Sequence, residues 1–312
     1  MINEDQLAAS KPIENSWRKE GGLRTRGEFS KQSMPGSPLV TVITVVRNGK
    51  EHLEGAIQSV LNQTYDNIEH IIIDGSSTDG TLDIIKGYDE KIAYWMSEPD
   101  NGLYDAMNKG ILLAHGTLIG LLNSDDFYEK QAVQYVVDRY ARRNRERAVI
   151  VYGNFNIYDE DLHITTQFLS NLNYRRGMTV CHQTMFVERS VYLTMSLYDT
   201  SYKFAADYDF FLKAIFHDIE FLNTDAFLVN FRNTGATYLS VPLVYKETVS
   251  INRRYFGCFN IQFLVLILKA VRIVIQSAVK HAVELCFGKK VLKKVKIIQN
   301  TLSRKTWRDI AP

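Results

Sequence analysis

Cysteine is scarce in the sequence of 312 residues, and the spacing of the cysteines does not indicate that they act together. Cys181, Cys258 and Cys286 are odd in number, lie far apart and include no CxxC pair. This usage is typical of a reducing compartment, and it excludes a disulfide framework and a zinc knuckle. The formal net charge of +2 is also small, which argues against a protein that binds nucleic acid over its whole surface.

Several other signals are missing. No apolar segment of the signal-peptide type occurs near the N-terminus, so we expect a cytoplasmic protein. Neither the GxGxxG motif of dinucleotide-binding folds nor the GxxxxGK[ST] phosphate loop is present, and there is no internal repeat. With 46% hydrophobic residues, the chain is expected to form one large globular domain or two small ones.

The composition divides the chain into three parts. Residues 1–37 are polar and include Gly21-Gly22 and the hinge "MPGSP" (34–38), which predicts a flexible leader. Residues 38–235 carry regular hydrophobic patterns and form the predicted folded domain. Residues 236–312 form a basic tail.

Strands and helices alternate from Leu39 onward. The run "LVTVITVV" (39–46) is almost entirely apolar and β-branched, which is typical of a strand that is buried on both faces. The further predicted elements of this half are strands at 68–74, 92–98 and 117–122 and helices around 53–61, 103–116 and 129–143. This alternation indicates βαβ units, and therefore an α/β fold with a mostly parallel sheet flanked by helices.

The following region, roughly 148–235, has shorter patterns. Strands are predicted at 148–152, 180–187 and 227–232, together with a helix that begins near Asp207. We expect this region to form an α+β half that packs on the first half.

Polar residues come directly after the predicted strands of the first half. They are Arg47-Asn48, Asp74, Glu98-Pro99-Asp100 and the motif "NSDD" (123–126). Because ligands of parallel sheets bind at the carboxyl ends of the strands, we expect these residues to gather along one edge.

Two adjacent carboxylates, Asp125 and Asp126, end the last of these motifs. They repel each other unless a cation is present, and Mg²⁺ or Mn²⁺ is typically held by one or two carboxylates together with substrate phosphates. The alternative is a solvated loop that caps the next helix. Similarly, "DGSSTDGT" (74–81) either offers carboxylates and hydroxyls to a ligand or is an ordinary turn with an aspartate helix cap.

Two long stretches of the chain resemble a known family. The stretches "VTVITVVRNGKEHLEGAIQSVLNQTYDNIEHIIIDGSSTDGT" and "SEPDNGLYDAMNKGILLAHGTLIGLLNSDD" are similar to the family 2 glycosyltransferases, which have the GT-A fold. The run "EPDNGLYDAMNKGI" looks most like the colanic-acid and capsule-type bacterial sugar transferases. The resemblance implies a GT-A (Rossmann-like) catalytic domain over 38–235, with a nucleotide-sugar half, or donor half, at 38–128 and an acceptor half at 129–235.

The resemblance further implies a UDP- or GDP-sugar donor, a divalent metal (Mn²⁺ or Mg²⁺) and inversion at the anomeric carbon. It assigns donor binding to Thr44, Val46, Arg47, Asn48, Asp74, Ser76, Asp79, Asp105, Asn108, Lys109, Asn123 and Ser124. Within this set Asp74 resembles the carboxylate that holds the base or ribose. The motif "NSDD" matches a DxD-type metal motif in which Asn123 replaces the first aspartate, so Asp125 is the expected metal ligand and Asp126 its support.

The stretches "CHQTMFVERSVY" (181–192) and "KFAADYDFFLKA" (203–214) match the acceptor half of the family. Asp207 aligns with the catalytic base, although Ala206 stands where many relatives have glutamate. His182 is a further candidate contact of the metal, the diphosphate or the acceptor. Without the resemblance, His182 is an ordinary hydrogen-bonded core residue and Asp207 a helix cap.

The tail is predicted to be helical, amphipathic and basic. Within 256–287 five polar residues fall on one stripe of a helix whose remaining surface is largely apolar: Gln262, Lys269, Arg272, Gln276 and Lys280. Such a helix lies in the membrane interface, and the five lysines between 289 and 296 favour anionic lipid. The alternatives are a helix that packs on the domain and one that spans the bilayer, although the uncharged run 257–268 is shorter than the roughly 17–25 residues of a span.

Together these observations predict an inverting, metal-dependent glycosyltransferase of surface polysaccharide biosynthesis, peripheral on the inner face of the plasma membrane. Its expected acceptor is a glycan or a polyprenyl-diphosphate-linked sugar. One alternative is a non-catalytic module that binds a nucleotide sugar or a glycan, which Asn123 slightly favours. Another is a nucleotidyltransferase, but these usually carry a glycine-rich basic loop after the first strand, and "VVRNGKEHL" matches it poorly.

Overall fold

The β-branched run "VTVITVV" forms a strand in which all seven residues are buried. The computed structural model that shows this describes residues 17–143, 146–159, 163–174, 177–232 and 241–257, the side chains of 241 and 242 excepted. The strands are β1 (Lys19–Gly21), β2 (Val40–Val46), β3 (Ile68–Asp74), β4 (Tyr94–Ser97), β5 (Leu118–Asn123), β6 (Phe127–Tyr128), β7 (Val149–Tyr158), β8 (Ile164–Phe168), β9 (Phe186–Glu188) and β10 (Glu220–Arg232). The α-helices are α1 (Leu53–Leu61), α2 (Thr81–Gly87), α3 (Leu103–Leu113), α4 (Ala132–Ala141), α5 (Arg189–Met195), α6 (Ala206–Phe216) and α7 (Val241–Phe256), and a 3₁₀ turn covers His182–Thr184.

The described strands form one ten-stranded sheet in the order β1-β4-β3-β2-β5-β9-β7-β10-β6, with β8 paired to β7. The neighbours β4, β3, β2 and β5 are parallel, and α1, α2 and α3 connect them. This confirms the predicted α/β fold with a mostly parallel, helix-flanked sheet. The chain adds β3 and β4 on one side of β2 and then β5 on the other, and ligands of parallel sheets bind at such a switch point.

Helices cover both faces of the parallel strands. On one face, Val60 of α1 and Val133 of α4 belong to the same buried cluster as Val42 of β2. On the other face, a Cβ added to Gly110 of α3 would come within 2.4 Å of the Ile43 side chain. The missing side chain lets α3 approach β2 closely. Because α3 follows the parallel strand β4 in the chain, its N-terminal end lies at the carboxyl edge of the sheet.

The acceptor half departs from the predicted boundaries. The strands β7 and β10 are longer than the predicted 148–152 and 227–232, whereas α6 begins where it was expected. In place of a strand over 180–187, the chain makes the 3₁₀ turn and the short strand β9. The reason is local, because Thr184 N and Oγ1 both donate to the Cys181 carbonyl and close the turn.

Part of the predicted flexible leader, residues 19–21, instead forms an edge strand of the sheet. Lys19–Gly21 forms β1 and pairs with β4. Arg24 Nη1 donates to the Leu113 carbonyl at 2.8 Å and lies 3.3 Å from Glu69 Oε1. Because the Glu69 carboxylate is fully buried, it needs a cationic partner, and Arg24 supplies one. Residues 1–16 lie outside the described residues.

The chain divides into two compact units, 1–239 and 240–312. In the second unit the structure describes the helix α7. Beyond residue 257, the predicted amphipathic helix and the lysines that follow it lie outside the described residues. No helix in the described part of the chain has the length and hydrophobicity of a membrane span.

Candidate functional site

A cavity of about 1440 Å³ opens at the carboxyl ends of β2 and β5. It is lined by ten of the residues that the sequence singled out, namely Val46, Arg47, Asn48, Asp105, Asn123, Ser124, Asp125, Asp126, His182 and Asp207. The other six, which lie off the cavity, are Thr44, Asp74, Ser76, Asp79, Asn108 and Lys109. The fold thus brings strand tips of the donor half and two residues of the acceptor half to one place.

Hydrogen bonds between the loops after β2 and β3 shape one rim of the cavity. Asn48 N donates to Ser77 Oγ at 2.7 Å, and Asn48 has a φ of 53°, a left-handed conformation that asparagine tolerates well. Asp79 accepts from Lys50 N at 3.1 Å and from Thr81 Oγ1. The hydrogen bond from Thr81 holds the pKa of Asp79 below its usual range. Asp79 therefore ties two loops together, but it is not the helix cap that the alternative interpretation expected, because the cap position of α2 is Gly80.

Asp74, which the resemblance assigned to the base or ribose, is fully buried. Its carboxylate accepts hydrogen bonds from Ser77 Oγ and from Ser97 Oγ, the latter at 2.6 Å. Thr44 is also fully buried, and its Oγ1 lies 3.0 Å from His70 Nε2. Asp74 and Thr44, which were predicted to contact the nucleotide sugar, thus both have polar partners within the protein.

Of the three residues predicted on α3, Asp105 lines the cavity. Asn108 is bonded through Nδ2 and Oδ1 to the backbone of Tyr198, at 2.9 and 3.0 Å, and so holds the acceptor half against α3. Lys109 Nζ lies 2.9 Å from Glu98 Oε1. Asn108 and Lys109 therefore do not line the cavity and support it through contacts within the protein.

The adjacent carboxylates Asp125 and Asp126 have different surroundings. Asp125 is half-buried and lines the cavity, and no hydrogen bond within the described part of the chain engages its carboxylate. Asp126 is buried and accepts from Gln183 Nε2 at 2.5 Å and from Arg232 N at 2.7 Å. Burial, together with the charge of Asp125, raises the pKa of Asp126 to about 8. The chain continues into β6 rather than into a helix, so this pair is not a helix cap.

Asp207, the predicted catalytic base, lies in the first turn of α6 and lines the cavity. Its Oδ1 accepts hydrogen bonds from Tyr104 OH at 3.0 Å and from Tyr208 N at 2.9 Å. Its Oδ2 lies 3.4 Å from His182 Nδ1. The cap position of α6 is Ala205, so Asp207 is not the helix cap. The carboxylate is held on three sides and remains 19% exposed.

Two polar atoms of the cavity wall are buried without a hydrogen-bond partner in the described part of the chain. They are His182 Nε2 and Asn123 Oδ1. Buried polar atoms are almost always paired, so each exception calls for an explanation such as a ligand, an ion or a water. If His182 were an ordinary hydrogen-bonded core residue, both of its ring nitrogens would have partners. Only Nδ1 finds one among the described residues, near Asp207.

Three further residues support the site and were not assigned to it from the sequence. Gln183 is fully buried and accepts from Asn123 N at 2.8 Å. Asp100 lines the cavity and packs so closely on Gly75 that a Cβ there would come within 2.2 Å of Asp100 Oδ2. Asp100 was among the strand-tip residues that were expected to gather at this edge, although no role was assigned to it. No sequence signal pointed to Tyr104, because its hydrogen-bond partner, Asp207, lies 103 residues away in the chain.

The arrangement of oxygen atoms limits how a metal can bind. Within the described residues, no group of three or more His, Cys, Asp or Glu side chains could hold a metal ion. Asp125 and the unpartnered Oδ1 of Asn123 nevertheless lie on the same strand tip. Mg²⁺ usually binds through one or two carboxylates plus substrate phosphates, and the donor set fits this mode.

Comparison with known proteins identifies the family of the chain. The family model described as "Glycosyl transferase family 2" matches residues 41–195. An uncharacterized glycosyltransferase from Mycobacterium tuberculosis is 34% identical over 184 residues, which cover 58% of this chain and 70% of the relative.

Two solved structures share the fold. TarS 1-349 from S. aureus, in complex with UDP-GlcNAc, has a TM-score of 0.53 and 15% identity over 70% of this chain and 67% of that chain. The mannosyltransferase PcManGT from Pyrobaculum calidifontis, in complex with GDP-Man and Mn²⁺, has a TM-score of 0.53 and 11% identity over 96% and 92% of the two chains.

Proposed function

The chain belongs to glycosyltransferase family 2, and on that premise we propose that it moves a sugar from a nucleotide-sugar donor to a hydroxyl group of a glycan acceptor. The observation that carries this proposal is one cavity lined by Asp125 from a strand tip of the donor half and by Asp207 from a helix of the acceptor half. Asp125 is available to a ligand, whereas Asp207 is held in place by Tyr104 and His182. The two carboxylates are therefore suited to different tasks.

Asp207 is the proposed general base. It takes the proton of the acceptor hydroxyl while that oxygen attacks the anomeric carbon on the face opposite the nucleoside diphosphate, and a single displacement of this kind inverts the configuration. Tyr104 OH and Tyr208 N donate hydrogen bonds to the carboxylate and orient it. A positioned general base contributes a factor of about 10²–10⁴ in rate.

Asp125 and Asn123 are the proposed protein ligands of Mn²⁺ or Mg²⁺, together with the diphosphate of the donor, and His182 is a further candidate. When bound, the ion neutralises the negative charge that develops on the leaving diphosphate. Asp126 holds the strand tip in place through Gln183 and the backbone of Arg232.

The donor is proposed to be a UDP- or GDP-sugar and the enzyme a transferase of the hexosyl type. Support comes from the UDP-GlcNAc in the TarS complex and the GDP-Man in the PcManGT complex. In this chain Val46, Arg47 and Asn48 at the tip of β2 and Asp105 on α3 line the cavity beside Asp125, and they are the proposed donor contacts.

The acceptor is proposed to be a glycan or a polyprenyl-diphosphate-linked sugar of surface polysaccharide biosynthesis. Support comes from the basic, amphipathic sequence of the tail, which favours a membrane surface with anionic lipid. We place the protein in the cytoplasm, peripheral on the inner face of the plasma membrane. Equal activity on a soluble and a lipid-linked acceptor would contradict this part of the proposal.

A donor screen tests the proposed function. Purified protein is offered UDP- and GDP-sugars with Mn²⁺ or Mg²⁺, and the slow release of free nucleoside diphosphate is recorded with and without a chelator. We expect release from one donor, and we expect the chelator to stop it. If no donor binds, the glycan-binding module is the better description. Formation of a nucleotide sugar from a nucleoside triphosphate and a sugar phosphate would indicate a nucleotidyltransferase instead.

A further inference from the structure

Four apolar side chains on β7, β8 and β10 form a part of the cavity wall that the transfer chemistry does not use. They are Phe155, Ile157, Phe168 and Phe231, and we call them the apolar platform. Strand register makes them neighbours, because Phe155 pairs with Phe168 and Ile157 pairs with Phe231. The rings of Phe155 and Phe168 are stacked, with centroids 4.9 Å apart and an interplanar angle of 5°.

The face of β7 opposite the platform carries buried polar side chains. Asn156, which alternates with the platform residues along β7, is 3% exposed and bonds to Asn230 at 2.9 Å and to Gln167 at 3.1 Å. Phe168 is 43% exposed. Of the platform residues, Phe168 is exposed, Phe155 and Phe231 are half-buried and Ile157 is buried. All four line the cavity, which indicates an apolar surface that can serve a ligand.

The chemistry of the platform defines the class of ligand that it can hold. Its four side chains offer no hydrogen-bond donor, acceptor or charge, so a sugar hydroxyl or a phosphate placed on it would lose its partners in water without replacement. A hydrocarbon group would be stabilised there, because both surfaces leave water. The polar groups of the same cavity lie elsewhere in its wall, at Asp125, Asp207 and His182.

We propose that the apolar platform binds the hydrocarbon carrier of the acceptor, an alkyl or isoprenoid chain, while the acceptor hydroxyl reaches Asp207. The inference rests on the proposed function and deepens it, since it assigns a surface of this chain to the carrier. The platform and Asp207 line one continuous cavity, so a single acceptor can contact both.

The test compares octyl β-D-glucoside with methyl β-D-glucoside below the micelle concentration. Binding to the full chain in the presence of UDP is measured by saturation-transfer NMR, which reports the ligand protons that touch the protein. Phe168→Ala is matched with Ile164→Ala, because Ile164 lies on the same strand, is 50% exposed and does not line the cavity. We expect the octyl protons to be saturated by the wild type and Ile164→Ala, and the octyl glucoside to bind Phe168→Ala about tenfold more weakly.

Three results would overturn the inference. One is equal binding of the octyl glucoside to the wild type and to Phe168→Ala, and another is an equal loss in both variants. A third is weaker binding of Phe168→Ala to phosphatidylglycerol vesicles with unchanged octyl glucoside binding, which would assign the face to the membrane surface. Donor hydrolysis distinguishes the two proposals. If the wild type hydrolyses a donor but shows no preference for octyl glucoside, only the carrier-binding role of the platform is rejected. If no donor is hydrolysed or bound, the proposed function fails.

Discussion

The hydroxyl of Tyr104 donates a hydrogen bond to Asp207 Oδ1 at 3.0 Å and so joins a helix of the donor half to a helix of the acceptor half. Tyr104 lies in the first turn of α3 and is only 4% exposed, so packing fixes its ring. The donor half therefore takes part in orienting the proposed base. A change in the position of α3 would be transmitted directly to the carboxylate.

Replacing Tyr104 with phenylalanine keeps the ring and removes this hydrogen bond. Because a hydrogen bond to a charged group contributes about 1.5–3 kcal/mol, we expect turnover at saturating donor to fall by a factor of about 10–150 while donor affinity is unchanged. Tyr135→Phe is the control, since the Tyr135 hydroxyl bonds to Gln131 Oε1 on the exposed side of α4. A similar loss of turnover in the control, or a loss confined to donor affinity, would contradict the assignment.

Asp207→Asn keeps the size of the side chain and removes the proposed base. We expect transfer to fall by a factor of about 10²–10⁴, with the binding of the nucleotide sugar retained. Transfer assays and calorimetric titration with the donor measure the two quantities separately. Asp66→Asn, at an exposed position off the cavity, should behave like the wild type. If Asp207→Asn turns over at nearly the wild-type rate, Asp207 is not the base.

Asp125→Asn tests the metal. The carboxylate of Asp125 has no internal partner in the described part of the chain, so its loss should weaken the binding of Mn²⁺ in the presence of UDP by about tenfold or more and leave the fold intact. Titration of Mn²⁺ followed by electron paramagnetic resonance gives the affinity. Asp126→Asn is expected to lower stability first, because Asp126 is buried between Gln183 and Arg232. Unchanged Mn²⁺ affinity in Asp125→Asn would remove this residue from the metal site.

Asp74→Asn separates a structural role from a donor contact. The buried carboxylate accepts hydrogen bonds from Ser77 and Ser97. In the asparagine variant an NH₂ group replaces one carboxylate oxygen, so one of these serine hydroxyls loses its acceptor. We therefore expect the free energy of unfolding to fall by about 1–3 kcal/mol, as measured by urea titration. Full stability combined with weaker donor binding would restore the role that the family resemblance implied.

His70 makes stability depend on pH. Burial lowers the pKa of His70 to about 3, whereas an unfolded histidine titrates near 6.5. Between these values the unfolded chain binds a proton that the folded chain does not, so stability is lost as the pH falls below about 6.5. The loss approaches about 1.4 kcal/mol per pH unit.

Unfolding free energies at pH 7.5 and 5.5 check this prediction. His70→Gln should reduce the difference between the two pH values by about 1.4 kcal/mol. His163→Gln is the matched control, because 77% of the His163 side chain is exposed. An unchanged pH difference in His70→Gln would show that the imidazole is not the group responsible.

The parts of the fold that could be predicted are those with a local pattern. The strands β2 and β3 are continuous apolar runs, and α3 repeats its buried residues at helical spacing, so neighbouring residues alone were sufficient. The acceptor half was harder to predict. A turn held by Thr184 replaced most of one strand there, and β10 includes a bulged stretch near Asp225, whose φ is 57°.

The parallel sheet, the polar residues at its strand tips and the family follow from the amino-acid sequence, because hydrophobic period and motif spacing are properties of neighbouring residues. Which of those residues reach the cavity depends on the three-dimensional fold. It placed Asp125 in the wall, gave Asp74 and Asp79 internal partners, and brought Tyr104 to Asp207. These outcomes depend on hydrogen bonds between groups far apart in the chain, and a local pattern carries no information about which distant group completes each bond.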